Sequence, residues 1–484
     1  MHFIRLVLLR LLRAAISIAS LIITAKFIGV SLPRDAWVLA LSVIGILSVF
    51  LFNPTLEIFR AKVIHLRGEL SKQEADMAIS SYVTFSILIA VLAIVIVAIA
   101  PGTFAAAIGA DASSALSGET GRFLRWGAVY ILLTQLINAW SAILNSENMY
   151  VQPELIGIGT AALNVVFLLA LVKDIGADAL LWSTLASSTL QVVLLALLLK
   201  RSCGTIFVTY KLNLAYAWYF VAPALPLYFA FGAGQVSLIV EKNLLVLAGA
   251  GAVSIYDYAR KFADVPFGVI TATAASLVGP MLAKVNVSQD ENEFIRAALR
   301  HLKAFILILL PITVVFSLGG STLVSVFFSN SASVTEDDQH LISQLLGVLG
   351  WGLLGVAIYA VGSQTLIARG QITLYARLGL LTQVLNIVIS LFFYRAYGAV
   401  AIAVAWGLSY GLTGFLMQYY ARIPAGSILG AVAKTFSCHL VLVILYRMGG
   451  RFLPAKFEFA SLIVLLAISS AMSLIFIHRD AKKS

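Results

Sequence analysis

The sequence predicts an all-α polytopic membrane protein of about fourteen transmembrane helices, and three observations predict it. Of its 484 residues 61% are hydrophobic, where soluble domains hold about half. Charged residues make up only 11% and the mean hydropathy is +0.98, which leaves too little polar surface to coat a water-soluble globule. The apolar residues fall in runs, and at about 20 residues per helical span they bound the count at roughly fourteen or fifteen.

The first run starts behind Arg5, Arg10 and Arg13 and continues through Ile28. Its basic start and apolar stretch resemble a signal peptide, but the arginines interrupt its early part and many spans follow, so it reads as a retained first helix. Ala36–Phe52, Ile79–Ala100, Leu124–Leu144, Ile156–Val172 and Leu180–Leu199 complete a set of six. After the polar stretch Lys200–Asn213, eight more runs follow: Tyr216–Val240, Leu244–Leu282, Leu302–Leu318, Ile342–Ala368, Leu374–Phe393, Ala399–Tyr419, Ile428–Leu445 and Ala460–Ile477. Glu241 and Lys242 interrupt the seventh and eighth; they mark either an outer turn between two helices or a charged pair at depth.

The net charge of +11 is a topology signal rather than a nucleic-acid footprint, because the lysines and arginines are spread over short connecting segments. Arg60, Lys62, Arg67, Lys72, Lys200, Arg201, Lys211, Lys284, Arg296, Arg300, Arg479, Lys482 and Lys483 fall on the side that holds the N-terminus. The opposite segments Pro101–Glu119 and Ser321–Asp338 carry no lysine or arginine. Both termini are therefore expected in the cytoplasm, with Arg447, Arg451 and Lys456 as exceptions in the last outer loop. Two cysteines, Cys203 and Cys438, are too few and too far apart for a disulfide framework or a zinc site.

An internal repeat is visible. Leu163-Asn164-Val165-Val166 recurs as Leu385-Asn386-Ile387-Val388 and Gly176-Ala177 as Gly398-Ala399, both at an offset of 222 residues without a gap. The offset spans an even number of helices, so the halves run parallel, as transporter halves often do. The expected organisation is a six-helix half over 1–213, a second over 214–424, and two additional helices over 425–484.

No enzyme constellation is present: there is no phosphate-binding glycine loop, HExxH, cysteine pair or nucleophile elbow, and no outer loop is large enough to fold alone. The chain is expected not to be an enzyme. His439, the one histidine inside a predicted span, reads as a helix contact. Ionisable groups at bilayer depth are costly and usually face a cavity or a partner. They are Lys26, Asp35, Glu241, Lys242, Asp257, Arg260, Lys261, Asp264, Arg377 and Lys434; the last two sit close enough to helix ends to snorkel. Asp257 lies three residues before Arg260 and four before Lys261, so they share a helix face and can pair. Two cations on one turn still leave a surplus that suits an anionic ligand such as a pyrophosphate, and Pro266 and Gly268 are placed to bend the helix beyond it.

Several segments resemble the MurJ (MviN) lipid II flippases of the multidrug/oligosaccharidyl-lipid/polysaccharide exporter superfamily. They are Ala25-Lys26-Phe27-Ile28-Gly29 with Asp35-Ala36, Leu144-Asn145 with Pro153, Leu163-Asn164, Pro223-Ala224 with Gln235-Val236-Ser237, and Tyr258-Ala259-Arg260-Lys261 with Pro266, Gly268, Val269 and Pro280. The resemblance implies transport of an undecaprenyl-pyrophosphate-linked saccharide across the bacterial cytoplasmic membrane by alternating access, through a cationic cavity between the halves, for peptidoglycan or surface-polysaccharide synthesis. It makes Lys26, Asp35 and Lys261 expected substrate-binding residues, and the surplus charge read on the same helix adds Arg260. Ser20 and Ser48 stand where lipid II flippases carry cavity arginines, and serine cannot replace a guanidinium on pyrophosphate, so a different lipid-linked oligosaccharide is a nearly equal expectation. Glu241 and Asn386 could supply oxygen ligands to a coupling cation; no cofactor is expected beyond a monovalent cation or the membrane potential. Expected partners are the lipid-linked saccharide, membrane lipid and glycan-synthesis enzymes, with no nucleic acid. Other readings are a cation-coupled drug exporter of the same superfamily, which should have surplus buried carboxylates, and a non-transporting scaffold of a polysaccharide synthase complex.

Overall fold

The computed structural model describes residues 2–274, 278–287, 290–328, 334–424, 426 and 430. The predicted runs Ile428–Leu445 and Ala460–Ile477, with Lys434, Cys438 and His439, lie outside the described residues. Those described form helices and no strands: α1 (His2–Phe27), α2 (Leu32–Glu69), α3 (Lys72–Ile99), α4 (Pro101–Ala107), α5 (Ser114–Gly127), α6 (Val129–Ser146), α7 (Val151–Ile175), α8 (Asp178–Cys203), α9 (Leu214–Val221), α10 (Leu225–Leu247), α11 (Ala252–Thr273), α12 (Gly279–Val287), α13 (Glu291–Leu318), α14 (Gly320–Phe328), α15 (Glu336–Ala368), α16 (Ile372–Tyr397) and α17 (Ala399–Tyr420). Helix is the form that lipid demands, because it satisfies every backbone polar group within one segment. Among the described residues nine helices are long and apolar enough to cross a membrane, or ten if α5 and α6, bent by 45°, are one span. The chain is a multi-pass membrane protein.

The described residues fall into two compact units, Met1–Ser254 and Ile255–Ser484. In the first, α2 is 38 residues long, about 57 Å at 1.5 Å per residue, and so outruns an apolar core of about 30 Å. Arg60, Lys62 and Arg67, expected in a loop, ride on this helical extension. Phe59, Tyr82 and Phe220 pack ring on ring with centroids 4.7–5.2 Å apart, in a core with Trp140, Ile143 and Phe207. The polar stretch after α8 is pinned to α3: Thr84 Oγ1 donates to the Thr209 carbonyl at 3.2 Å and accepts from the Thr209 N–H at 3.0 Å.

Glu241 and Lys242 do not mark a turn. α10 runs through both to Leu247, and the reversal comes at Gly249 and Gly251, whose φ angles are +119° and +85°. The pair survives inside a helix because Lys242 Nζ lies 3.2 Å from Glu241 Oε1.

The repeat has a conformational counterpart inside each unit. Gly176 ends α7 at φ 56°, ψ −128°, and Gly398 ends α16 at φ 52°, ψ −133°. Their N–H groups cap Val172 and Tyr394, again 222 residues apart. Thr160 meets Gln191 at 3.4 Å between α7 and α8, and Thr382 meets Thr413 at 2.9 Å between α16 and α17. All four positions obey the same offset. A repeat boundary and a packing boundary need not coincide: α9 and α10 follow residue 213, yet they pack against α3 and α2 in the first unit.

In the second unit α15 and α17 approach through glycine. A Cβ on Gly407 would lie 2.6 Å from the Gly352 Cα, and one on Gly414 would lie 2.6 Å from the Tyr359 N. Small residues let membrane helices close to backbone contact, where dispersion replaces the missing hydrophobic drive. Gly407→Ala should therefore cost about 1–3 kcal/mol by overpacking and lower the thermal unfolding midpoint in detergent. Gly159→Ala, where an added Cβ meets nothing within 4 Å, should not lower it; equal midpoints for the two variants would refute this packing account.

Candidate functional site

In the first unit the site is built around Asp35. α1 ends at Phe27, Gly29 turns the chain at φ +64°, and Asp35 enters the first turn of α2. Only 4% of Asp35 is exposed. Its Oδ2 accepts from the Gly251 N–H at 2.7 Å, and its Oδ1 accepts from the Ser254 N–H at 2.8 Å and the Ser254 hydroxyl at 2.5 Å. The carboxylate thus caps a helix to which it does not belong. The first N–H groups of α11 have no intrahelical acceptor, and the helix dipole favours an anion there. Gly251 is required: its left-handed backbone strains any side chain, and an added Cβ would run into Val30.

Lys26 lies in the last turn of α1, exposed, with Nζ 5.9 Å from the centroid of the Phe27 ring. Ser20 and Ser48 are half-buried, and the Ser48 hydroxyl has no hydrogen-bond partner among the described residues. Arg13, counted above with the N-terminal basic charges, sits well inside α1. It is fourteen residues before Phe27, about 21 Å along the axis, with Nη1 3.8 Å from Glu154 Oε2. Arg13 and Ser20 are seven residues apart and share a helix face.

In the second unit the site is carried by α11, which continues through Pro266 and Gly268 to Thr273. Arg260 is partly buried. Its Nε donates to Asp264 Oδ1 at 2.8 Å, one turn on. Its guanidinium carbon lies 4.2 Å from the centroid of Trp406 on α17 and 5.9 Å from that of Phe267. Asp257 is half-buried and engaged by a neighbour. Lys261 is exposed and makes no ion pair among the described residues. Aromatic packing sets the far wall: Trp406 and Tyr410 are 5.8 Å apart, and Tyr410 and Tyr359 4.9 Å.

Glu241 belongs to the first unit, paired with Lys242, while Asn386 lies half-buried on α16 in the second and is likewise engaged. No group of three His, Cys, Asp or Glu suited to a metal ion occurs among the described residues. Arg377 is exposed near the start of α16. Sequence reading missed Gly251, Ser254 and Trp406 as parts of the site, and it singled out Asp264 without pairing it with Arg260. The Gly-Ala-Gly turn before α11 was a readable signal for a capped helix start; an aromatic residue in an apolar run carries no such signal.

Comparison with known proteins places this geometry. A solved structure described as lipid II flippase MurJ in an inward closed conformation matches 99% of this chain and 98% of its own, with TM-score 0.82 and 20% identity. The inward-facing structure of a MATE family multidrug resistance transporter of the MOP superfamily matches with TM-score 0.72 and 15% identity, over 88% of this chain and 99% of its own. A curated relative from Burkholderia cenocepacia, described as lipid II flippase MurJ, is 24% identical over 141 residues, or 29% of this chain; the match spans 27% of that relative. A family profile described as lipid II flippase MurJ matches residues 24–471. That family is one of transporters, in keeping with the expectation that the chain is not an enzyme. By that near-complete match the chain belongs to the lipid II flippase MurJ family.

Proposed function

We propose that this protein carries an undecaprenyl-pyrophosphate-linked saccharide, lipid II or a related lipid-linked oligosaccharide, from the inner to the outer leaflet of the bacterial cytoplasmic membrane by alternating access, for peptidoglycan or surface-polysaccharide synthesis. The observation that carries the reading is the family match over residues 24–471. Both termini lie in the cytoplasm in this reading, in accord with the lysine and arginine distribution, and glycan-synthesis enzymes supply and consume the cargo. Arg260 and Lys261 offer positive charge from α11, and Lys26 from the end of α1. Charge-assisted hydrogen bonds to the pyrophosphate offset its desolvation while the polyprenyl tail stays in lipid. Coupling is to a monovalent cation or the membrane potential, with Glu241 and Asn386 as candidate oxygen donors. The absence of arginine at Ser20 and Ser48 favours a cargo whose head group differs from that of lipid II.

The fold is shared with a MATE multidrug transporter, but a pore for cationic drugs needs carboxylates free to receive them. Here Asp35 accepts three hydrogen bonds, Glu241 faces Lys242 and Asp264 holds Arg260. Lys261, exposed on α11 and in no ion pair among the described residues, supports the anionic cargo.

Asp35 acts as a latch. Its charge ties the start of α2 to the start of α11, and transport makes and breaks that tie. Two measurements test these roles in cells or proteoliposomes supplied with labelled polyprenyl-pyrophosphate saccharide. Lys261→Gln should reduce outer-leaflet exposure of the label by at least about tenfold, the scale of one lost charged hydrogen bond, with membrane insertion intact; undiminished exposure would remove Lys261 from the site. Asp35→Asn should slow flipping by about tenfold or more while lipid binding changes less than about twofold, and a wild-type flipping rate would exclude the latch.

A further inference from the structure

α3 opens on a cap that its own residues complete. The Ser71 hydroxyl accepts from the Glu74 N–H at 3.3 Å, and Glu74 Oε2 accepts from the Ser71 N–H and hydroxyl in return. Glu74 is thereby committed to the helix end. The next turns present a different face. Lys72, Asp76 and Ser80 recur at intervals of four and share one side of the helix, and with Met77 they form one wall of a groove of about 470 Å³. The other wall is the segment between α8 and α9, through Thr205, Val208 and Thr209.

That second wall is fixed in place. Gly204 ends α8 at φ +82°, and the chain then runs beside α3, where Thr209 is held by Thr84 and the Asn213 N–H donates to the Ser81 hydroxyl at 3.4 Å. Between these points Phe207 is fully buried in the core of the unit, while Ile206 and Val208 on either side of it are 40% and 44% exposed. The alternation gives the segment an apolar outer edge, which Met77, 43% exposed, continues on α3. Tyr210, the most exposed large side chain of this edge, is of the type that sits where acyl chains meet head groups.

The groove holds charges of both signs, and they are not paired with each other. Lys72 is exposed and makes no ion pair among the described residues. Asp76 Oδ1 is buried and lies 3.5 Å from Arg67 Nη2, but the same guanidinium also pairs with Glu147 at the end of α6. One cation between two carboxylates leaves a negative surplus, and Asp76 brings it to the groove. Lys72 and Asp76 thus offer opposite charges one helical turn apart, with Cβ atoms about 5–6 Å from each other. The Thr205 and Thr209 hydroxyls accept from the N–H groups of Phe207 and Lys211 and keep a proton to donate to a phosphate oxygen.

We infer that this groove binds the head group of a zwitterionic aminophospholipid with the chemistry of phosphatidylethanolamine, its phosphate at Lys72 and the threonine hydroxyls and its primary ammonium at Asp76. A two-carbon link between phosphate and ammonium matches a cation and an anion one turn apart. The ammonium donates three hydrogen bonds, whereas a trimethylammonium donates none, and phosphatidylglycerol brings no cation to Asp76. The acyl chains follow the apolar edge at Met77 and Val208. The lipid ties the start of α3 to the segment that joins α8 to α9. In the orientation proposed above it belongs to the cytoplasmic leaflet, and its site shares no residue with the proposed cargo site.

The test uses the full-length protein in nanodiscs of equal parts phosphatidylethanolamine, phosphatidylglycerol and phosphatidylcholine with matched acyl chains. Lipids retained after release into detergent are counted by native mass spectrometry. The wild type should retain phosphatidylethanolamine about tenfold over each of the others, the scale of one charged hydrogen bond. Asp76→Asn should abolish the preference over phosphatidylcholine. Lys72→Gln should lower retention of phosphatidylethanolamine and phosphatidylglycerol alike; Lys72 is exposed, so the inference stays testable if Asp76→Asn, which disturbs Arg67, fails to fold. Lys211→Gln, which removes an exposed cation of the same segment outside the groove, should change nothing. Equal retention of the three lipids, phosphatidylglycerol at or above phosphatidylethanolamine, or a loss in Lys211→Gln as large as in Lys72→Gln would reduce the groove to general attraction by a basic surface and overturn the inference. Displacement of the retained lipid by undecaprenyl pyrophosphate would assign the groove to the cargo and overturn it as well. The proposed function stands in each of these cases.

Discussion

An ionisable side chain at bilayer depth costs about 2.5–3.5 kcal/mol on insertion scales, and the way this chain meets that cost organises its site. Five charged side chains are answered in four ways. Asp35 is met by backbone and hydroxyl donors at the start of another helix. Glu241 and Lys242 face each other. Arg13 reaches Glu154 on the neighbouring helix. Arg260 is shared between a carboxylate one turn away and an indole face. The first three arrangements satisfy charge locally. The last meets charge with a carboxylate and a π-face together.

Charge satisfaction at Asp35 and close packing at the glycines are linked by one requirement: both need backbone to approach something closely. At Gly251 the approach lets an N–H reach a carboxylate; between Gly352 and Gly407 it lets one helix lie on another. Lipid supplies no hydrophobic drive for helix association, so contact of this kind contributes to holding α15 and α17 together. The same contact brings Gly352 against Trp406, whose ring centroid lies 4.2 Å from the guanidinium carbon of Arg260. Packing and recognition thus share residues in α17.

The parallel between α7–α8 and α16–α17 extends this economy. The bonds between Thr160 and Gln191 and between Thr382 and Thr413 stand at the same offset and bridge the same helix pair in each unit. A polar bridge between two membrane helices fixes their register, since an unsatisfied hydroxyl in hydrocarbon is costly. The second unit carries Trp406 where the first has Thr184, 222 positions before it.

Much of the site was legible in the sequence because charge in an apolar run is conspicuous. Composition and the length of the apolar runs established a multi-pass helical membrane protein, since a 61% hydrophobic chain arranged in runs of about twenty residues suits helical spans rather than the short alternating strands of a barrel. Asp35, Arg260 and Lys261 stood out for the same reason, and the 222-residue offset exposed the repeat. Only the tertiary structure decided which groups answer those charges. Asp35 and Ser254 are 219 residues apart, and Arg260 and Trp406 are 146 apart; no periodicity predicts such a meeting. The turn near Glu241 was misplaced because charge marks cost, not position: a neighbouring opposite charge lets α10 carry the pair to depth, and the reversal waits for Gly249 and Gly251. Trp406 gave no sign at all, since in an apolar run an aromatic residue looks the same whether it faces lipid, core or a cation, and what it faces is settled by the glycines of the helix beside it.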